Sequence, residues 1–384
     1  MRAWTPLACA AAAAALWLVW SFGDLGVGRR PQIPRIASSS DTPRPGVARP
    51  APGTNFDGGY GEPLAEVSPG EGLAHYALGA QLLHYGDYYG AARHLSVARD
   101  ALGDTRRVCE MLAVTYDQLN MTLDLAGVME CLAREAEVRE SAARLYDRLD
   151  RQLDVEGEFH AAASDHFVAS FPARGPSAGA IGEILDVLER ARTRIADELG
   201  LASVRNIAVV VYEGEQFTRA TNKPHWAKGL YDGKIRIALE GFFDRPEEFD
   251  MAIAHEYVHA LTHELTGLRL PAWFREGIAD NLARTDPAQR ERLARDGARS
   301  AEAAGVDALR RDFVAMSETV AGRAYQQSFA MVHNLVREAG WPPIRDLLRT
   351  MQDRPELAFD EAFDAIYGER PDQYVDRWLE IASH

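Results

Sequence analysis

The stretch MAIAHEYVHALTHELTGLRLPAWFREGIAD, residues 251–280, decides how the rest of the chain is read. Its first half is helical by pattern, since Met251, Ile253, Val258 and Leu261 supply an apolar side that neither Pro nor Gly interrupts. Residues four apart on a helix are turned by only about 40° around the axis, so His255 and His259 project from one face. Two imidazoles presented this way form half of a tetrahedral zinc site. Glu256 falls on the flank of that face, where it reaches a water rather than the metal. His263 extends the face by another turn, but the ligand set does not need it.

A catalytic zinc takes a third protein ligand and keeps one position open. Metzincins carry a third His where this chain has Leu265, which excludes that class. Pro271-Ala272-Trp273-Phe274-Arg275-Glu276-Gly277 ends a loop and begins a second helix, which makes Glu276 the candidate third ligand. Asp280, one turn later, is the candidate support for the distal nitrogen of His255.

The HExxH helix followed by P-x-W-F-x-E-G-x-A resembles the gluzincin metallopeptidases, specifically the bacterial peptidase MA-like group. The resemblance runs in general pattern from about Glu158 to the C-terminus, with its specific motifs confined to His255–Asp280. It implies one Zn2+ per chain on His255, His259 and Glu276, and hydrolysis of a protein or peptide substrate. Glu256 would take a proton from water and deliver it to the leaving amine. It also implies a helical subdomain that walls the cleft and contributes a Tyr or His to the transition state. Tyr325 is the candidate for that oxyanion role, and His333 is the next. A sheet edge beside the metal helix would pair with extended substrate. Lys234–Leu239 or its hairpin mate is that edge, unless the hairpin only closes the sheet.

The chain has 384 residues, too many for one compact core, and with 47% hydrophobic and 26% charged residues it is ordinarily globular. Its net charge of -15 argues against a nucleic-acid partner. Ala3–Phe22 carries no charge and reads as a signal anchor or signal peptide within residues 1–28. It places the body outside the cytoplasm, in the bacterial envelope or periplasm, with the membrane as a partner. Pro6 stands where a lipoprotein box before Cys9 needs an aliphatic residue, so lipidation is rejected. Residues 29–70 are a Pro-rich linker without apolar periodicity.

Residues 71–155 are helical by pattern. Leu78-Gly79, Leu82, Ala91, Leu95 and Ala98 fall at tetratricopeptide (TPR) offsets, echoed by Leu112-Ala113, Tyr116, Met129 and Leu132. The Trp and Pro diagnostic of that repeat are missing, so a plain helical hairpin bundle is the alternative. Either form offers a surface for a protein partner. Cys109 and Cys131 fall on adjacent helices, as a disulfide or as two buried thiols.

Residues 156–285 read as the catalytic domain. Phe159–Ala163 and His166–Phe171 are short strands, Ser177–Leu199 is an amphipathic helix, and Asn206–Tyr212 is a buried strand. Asp232-Gly233 signals a tight hairpin turn with positive dihedrals, followed by Lys234–Leu239 with charge outward and Ile inward. Residues 286–384 form a helical C-terminal subdomain, with helices at Pro287–Ala304, Val306–Met316, Tyr325–Ala339, Ile344–Met351, Leu357–Tyr367 and Tyr374–Ala382.

The expected fold class is therefore α+β, predominantly α: TPR-like repeats, then a gluzincin-like catalytic domain with a small sheet and a helical C-terminal subdomain. The expected function is a zinc peptidase. Two other readings stand beside it, an envelope scaffold with a silent peptidase module and a zinc hydrolase of a non-peptide amide.

Overall fold

A computed structural model describes residues 68–84, 87–136, 140–223, 229–239, 245–299, 309, 313 and 318–382. The expected anchor, all but the end of the Pro-rich linker, and most of the helix at Val306–Met316 lie outside these residues. The fold is mostly helical with one small mixed sheet of five strands. It divides into two compact units, the first running to Ala161 with Thr218–Lys223 added, and the second holding Ala162–Phe217 and Pro224–His384. Among the described residues no helix is long and apolar enough to cross a membrane.

The first unit comprises α1 (Pro69–His84), α2 (Tyr88–Leu102), α3 (Arg106–Gln118), α4 (Thr122–Ala136) and α5 (Glu140–Glu156), each packed on the next. Ala91, Leu95, Ala98, Leu112, Ala113, Val128, Leu132 and Leu149 form its core. Small residues at the crossings bring the helices close. A Cβ at Gly79 would sit 2.7 Å from Leu95 Cγ, so α1 rests directly on α2. Cys109 of α3 and Cys131 of α4 form a disulfide with Cα atoms 6.1 Å apart, which decides between the two readings of these cysteines. Closing a loop of this sequence separation (22 residues) stabilises the folded state by about 3 kcal/mol.

The second unit is built on a sheet of order β1-β2-β3-β5-β4: β1 (His160–Ala163), β2 (Phe167–Phe171), β3 (Ile207–Tyr212), β4 (Gly229–Tyr231) and β5 (Ile235–Ala238). β2, β3 and β5 run parallel, and β4 lies antiparallel to β5. Between β2 and β3 the chain forms α6 (Pro176–Leu199), which starts at a Pro in its first turn and stops at the left-handed Gly200. A short α7 (Gln216–Thr221), most of which is assigned to the first unit, precedes the hairpin in the chain, and α8 (Pro246–Thr266) follows it. α8 packs on α6, β4 and β5. The apolar sides of α6 (Ile184, Leu188, Ile195) and α8 (Ile253, Tyr257, Leu261) share a core with Val209, Val211, Ile235 and Ile237 of the sheet.

The remaining helices are α9 (Ala272–Ala283), α10 (Pro287–Arg299), α11 (Glu318–Ala339), α12 (Pro342–Asp353), α13 (Phe359–Tyr367) and α14 (Pro371–Ala382). Their apolar residues, among them Ile344, Leu348, Phe363 and Trp378, belong to that same core, so the segments before and after residue 285 are packed as one body. Trp273 of α9 anchors it, with its ring 5.2 Å from Phe274, 6.3 Å from Phe363 and stacked on Tyr374 at 6.0 Å. Arg269, in the loop between α8 and α9, donates to the carbonyls of Thr266, Met351, Pro355 and Leu357 at 2.6–3.2 Å.

Of the two hairpin strands offered as the sheet edge it is the mate, β4, because β3 flanks β5 on one side and β4 on the other. One expectation about Lys234–Leu239 is overturned. Lys234 and Arg236, expected to point outward into water, are only 2% and 0% exposed. Arg236 is compensated in place by both oxygens of Asp232, at 3.0 and 3.1 Å, and by the Tyr212 hydroxyl. Strand alternation showed two faces but could not show that both are covered. The turn differs too: Tyr231 pairs with Ile235 around a three-residue loop, Asp232-Gly233-Lys234, in which only Gly233 has positive φ (109°).

Candidate metal centre

α8 opens with Pro246, Glu247 and Glu248 in its first turn, which suits the unsatisfied amides and positive end of the helix dipole. It presents His255 and His259 one turn apart, with their Nε2 atoms 2.9 Å from each other. α9 begins at Ala272 directly after Pro271 and brings Glu276 in from the side. Glu276 Oε2 lies 3.4 Å from His255 Nε2 and 3.2 Å from His259 Nε2. These three residues each offer one ligand atom within 4.8 Å of the others.

The donor set fits zinc. With bonds of about 2.0–2.1 Å, tetrahedral ligands stand about 3.3 Å apart. The three separations of 2.9, 3.2 and 3.4 Å lie around that value. Two imidazole nitrogens and a carboxylate oxygen turned toward one point in a buried site are also a donor combination that zinc, a borderline ion, accepts.

Outer contacts orient the donors. His255 Nδ1 is 3.3 Å from Asp280 Oδ1, and Asp280 is held in turn by Arg284 at 2.7 Å. Arg275 donates through Nε and Nη2 to Glu276 Oε1, at 3.2 and 3.0 Å, which leaves Oε2 to face the histidines. Burial alone would pull the His255 pKa down, but its bonds to Asp280 and Glu276 outweigh that and hold it well above the ordinary value. Burial likewise opposes ionisation of Glu276, yet the two histidines keep its carboxyl well below the usual range. A cation entering the group therefore displaces a proton.

Glu256 is in a different situation. It is only 7% exposed, its Oε2 has no hydrogen-bond partner, and burial raises its pKa against the opposing pull of His259 and His255. A buried carboxylate without partners is costly for stability and suited to taking up a proton.

The other residues singled out from the sequence are not among these three ligand candidates and have contacts of their own. His263 faces Tyr231, with the hydroxyl 3.4 Å from Nδ1 and the rings edge-on at 5.4 Å. Burial, then Arg275 and Arg205, push its pKa down to about 4, so it stands neutral. Tyr325 is half-buried on α11 with its ring edge-on to Phe313 at 5.2 Å. His333 uses Nδ1 toward Asn281 Oδ1 at 3.2 Å and Nε2 toward Glu291 Oε1 at 3.3 Å, joining α9, α10 and α11. Arg275 had only a local signal, its place beside Glu276, and the hairpin strand carrying Gly229 and Tyr231 is expected beside the metal helix from the resemblance, without either residue being singled out.

A second group, Asp104 with Cys109 and Cys131, has its two sulfurs committed to the disulfide and offers no thiolate. No family model matches this chain, and no curated protein matches it.

Proposed function

We propose that this chain is a zinc-dependent peptidase of gluzincin type that hydrolyses peptide bonds in the bacterial envelope, with its TPR-like helices available to a protein partner. The reading rests chiefly on one observation, the convergence of His255, His259 and Glu276 with the partnerless carboxylate of Glu256 beside them. A zinc ion held by the three would supply Lewis acidity toward a carbonyl oxygen and lower the pKa of water. Glu256, made more basic by burial, accepts a proton from water and passes it to the leaving amine. Asp280 fixes the tautomer of His255 by taking Nδ1, so that Nε2 is free to act as a donor. Tyr325 is the proposed oxyanion donor. The Cys109–Cys131 disulfide supports an oxidising compartment, and Ala3–Phe22 is the proposed anchor.

The test is zinc content of the full chain and of Glu276→Ala, with cleavage of a casein-type substrate measured with and without chelator. Stoichiometric zinc and chelator-sensitive cleavage, both diminished in the variant, are expected. A wild-type protein that binds no zinc would sink the proposal.

A further inference from the structure

Gly229 starts the edge strand β4 and pairs with Ile237 of β5. A Cβ at this position would lie 2.5 Å from Oε1, 2.8 Å from Cγ and 2.9 Å from Cδ of Glu256. Separations that short do not occur between folded side chains, so any larger residue would force the carboxylate to move. The backbone does not itself require glycine here, because the φ of Gly229 is not among the positive values that L-residues avoid. The requirement is space. Glycine inside a strand weakens it, and commonly marks a close approach by another group. Tyr231, two residues on and therefore on the same face, sets its ring against His263. The strand thus lies along α8 from Glu256 to His263. Glu256 is buried and its Oε2 is partnerless, so no competing bond fixes the carboxylate.

We propose that Gly229 is a positioning residue for Glu256: its missing side chain leaves the slot in which the base stands, and the edge strand sets how the carboxylate meets the His255–His259–Glu276 centre. This inference rests on the peptidase reading. Because the atoms a methyl would meet are the far end of one side chain, the fold should tolerate the substitution while the base is displaced.

The experiment compares Gly229→Ala, Glu256→Ala and the double variant in the full chain, measuring zinc content, Tm, kcat and KM. Gly229→Ala is expected to keep wild-type zinc and KM while kcat falls about 100-fold, the loss typical of a displacement of about 1 Å at a reacting group. The double variant is expected to be no slower than Glu256→Ala, since Gly229 acts only through Glu256. Any Tm deficit of Gly229→Ala should vanish in the double variant, which lacks Cγ, Cδ and Oε1. A Gly229→Ala protein with wild-type kcat, losses that multiply in the double variant, or a Tm deficit that persists there would each overturn the proposal. Loss of zinc in Gly229→Ala would also overturn it. A failure of the peptidase reading looks different: wild-type protein without zinc, or a Glu256→Ala variant that still cleaves, removes the base itself and this assignment with it.

Discussion

Two of the polar clusters buried in the second unit are finished differently. On the β3–β5 side, Arg236 is fully buried, but its guanidinium is met by both oxygens of Asp232 and by the Tyr212 hydroxyl. On the α8–α9 side, Glu256 Oε2 and His259 Nδ1 are buried with no hydrogen-bond partner, and two imidazole nitrogens face each other at 2.9 Å. Folding selects against unpaired buried polar atoms. A complete cluster supports the fold, whereas the open donors beside His255 and Glu276 are what the proposed metal reading would use. The difference separates structural from chemical polarity within one core.

Glu256→Gln gives the largest expected effect. Zinc content is expected to hold while kcat falls about 1,000-fold, or about 4 kcal/mol of barrier, as general-base removal typically costs. Stability should move the other way, because a buried charge without partners is removed. The pH sign follows from the raised folded pKa of Glu256. The native state resists ionising this group, so the penalty is absent below the ordinary glutamate value of 4.5 and grows as pH rises through the folded pKa. The Tm advantage of Glu256→Gln in chelator-treated protein should therefore be seen at neutral pH and fade on acidification. A variant less stable than wild type at pH 7 would break the comparison.

Arg236→Ala should do the reverse. It is expected to cost roughly 3 kcal/mol of stability, the low end for breaking a buried pair, since Asp232 keeps 25% of its side chain exposed. Denaturant unfolding measures this, and zinc content of the folded fraction should be unchanged. Asp280→Asn is next, with zinc affinity weakened about 10- to 100-fold by loss of the carboxylate behind His255, as read by competition with a chromophoric chelator. Tyr231→Phe is the smallest, about 0.5 kcal/mol for a single long hydrogen bond to His263, with zinc affinity unchanged. A zinc deficit in Tyr231→Phe would join His263 to the metal centre.

These two clusters were not equally legible in the sequence. The histidines of α8 are fixed by the arithmetic of one helix, and Glu276 by a helix start close along the chain, so local pattern suffices for the donors. The Arg236 cluster depends on β3 pairing beside β5, a long-range choice that alternation along β5 cannot report. Read by itself, Lys234-Ile235-Arg236-Ile237 is a strand with one wet face. The Gly229–Glu256 approach was hidden for the same reason, since it joins a strand edge to a helix that no spacing rule connects. In the helical unit, small residues such as Gly79 and Ala98 were legible as crossing points, whereas the state of Cys109 and Cys131 depended on how α3 and α4 meet.

Arg269 gives the fold a timetable. The guanidinium that steadies the loop between the histidine helix and the glutamate helix finds its most distant acceptor, Leu357, 88 residues later. At a synthesis rate of about 5–20 residues per second, that carbonyl emerges roughly 4–18 s after Arg269 itself. During that interval the nascent chain already contains His255, His259 and Glu276 of the candidate metal centre but lacks the clasp that sets the loop between their helices. The loop is therefore completed only once the chain extends to Leu357, and a chain cut short before Met351 would carry the motif without three of the four carbonyls that hold its loop in place.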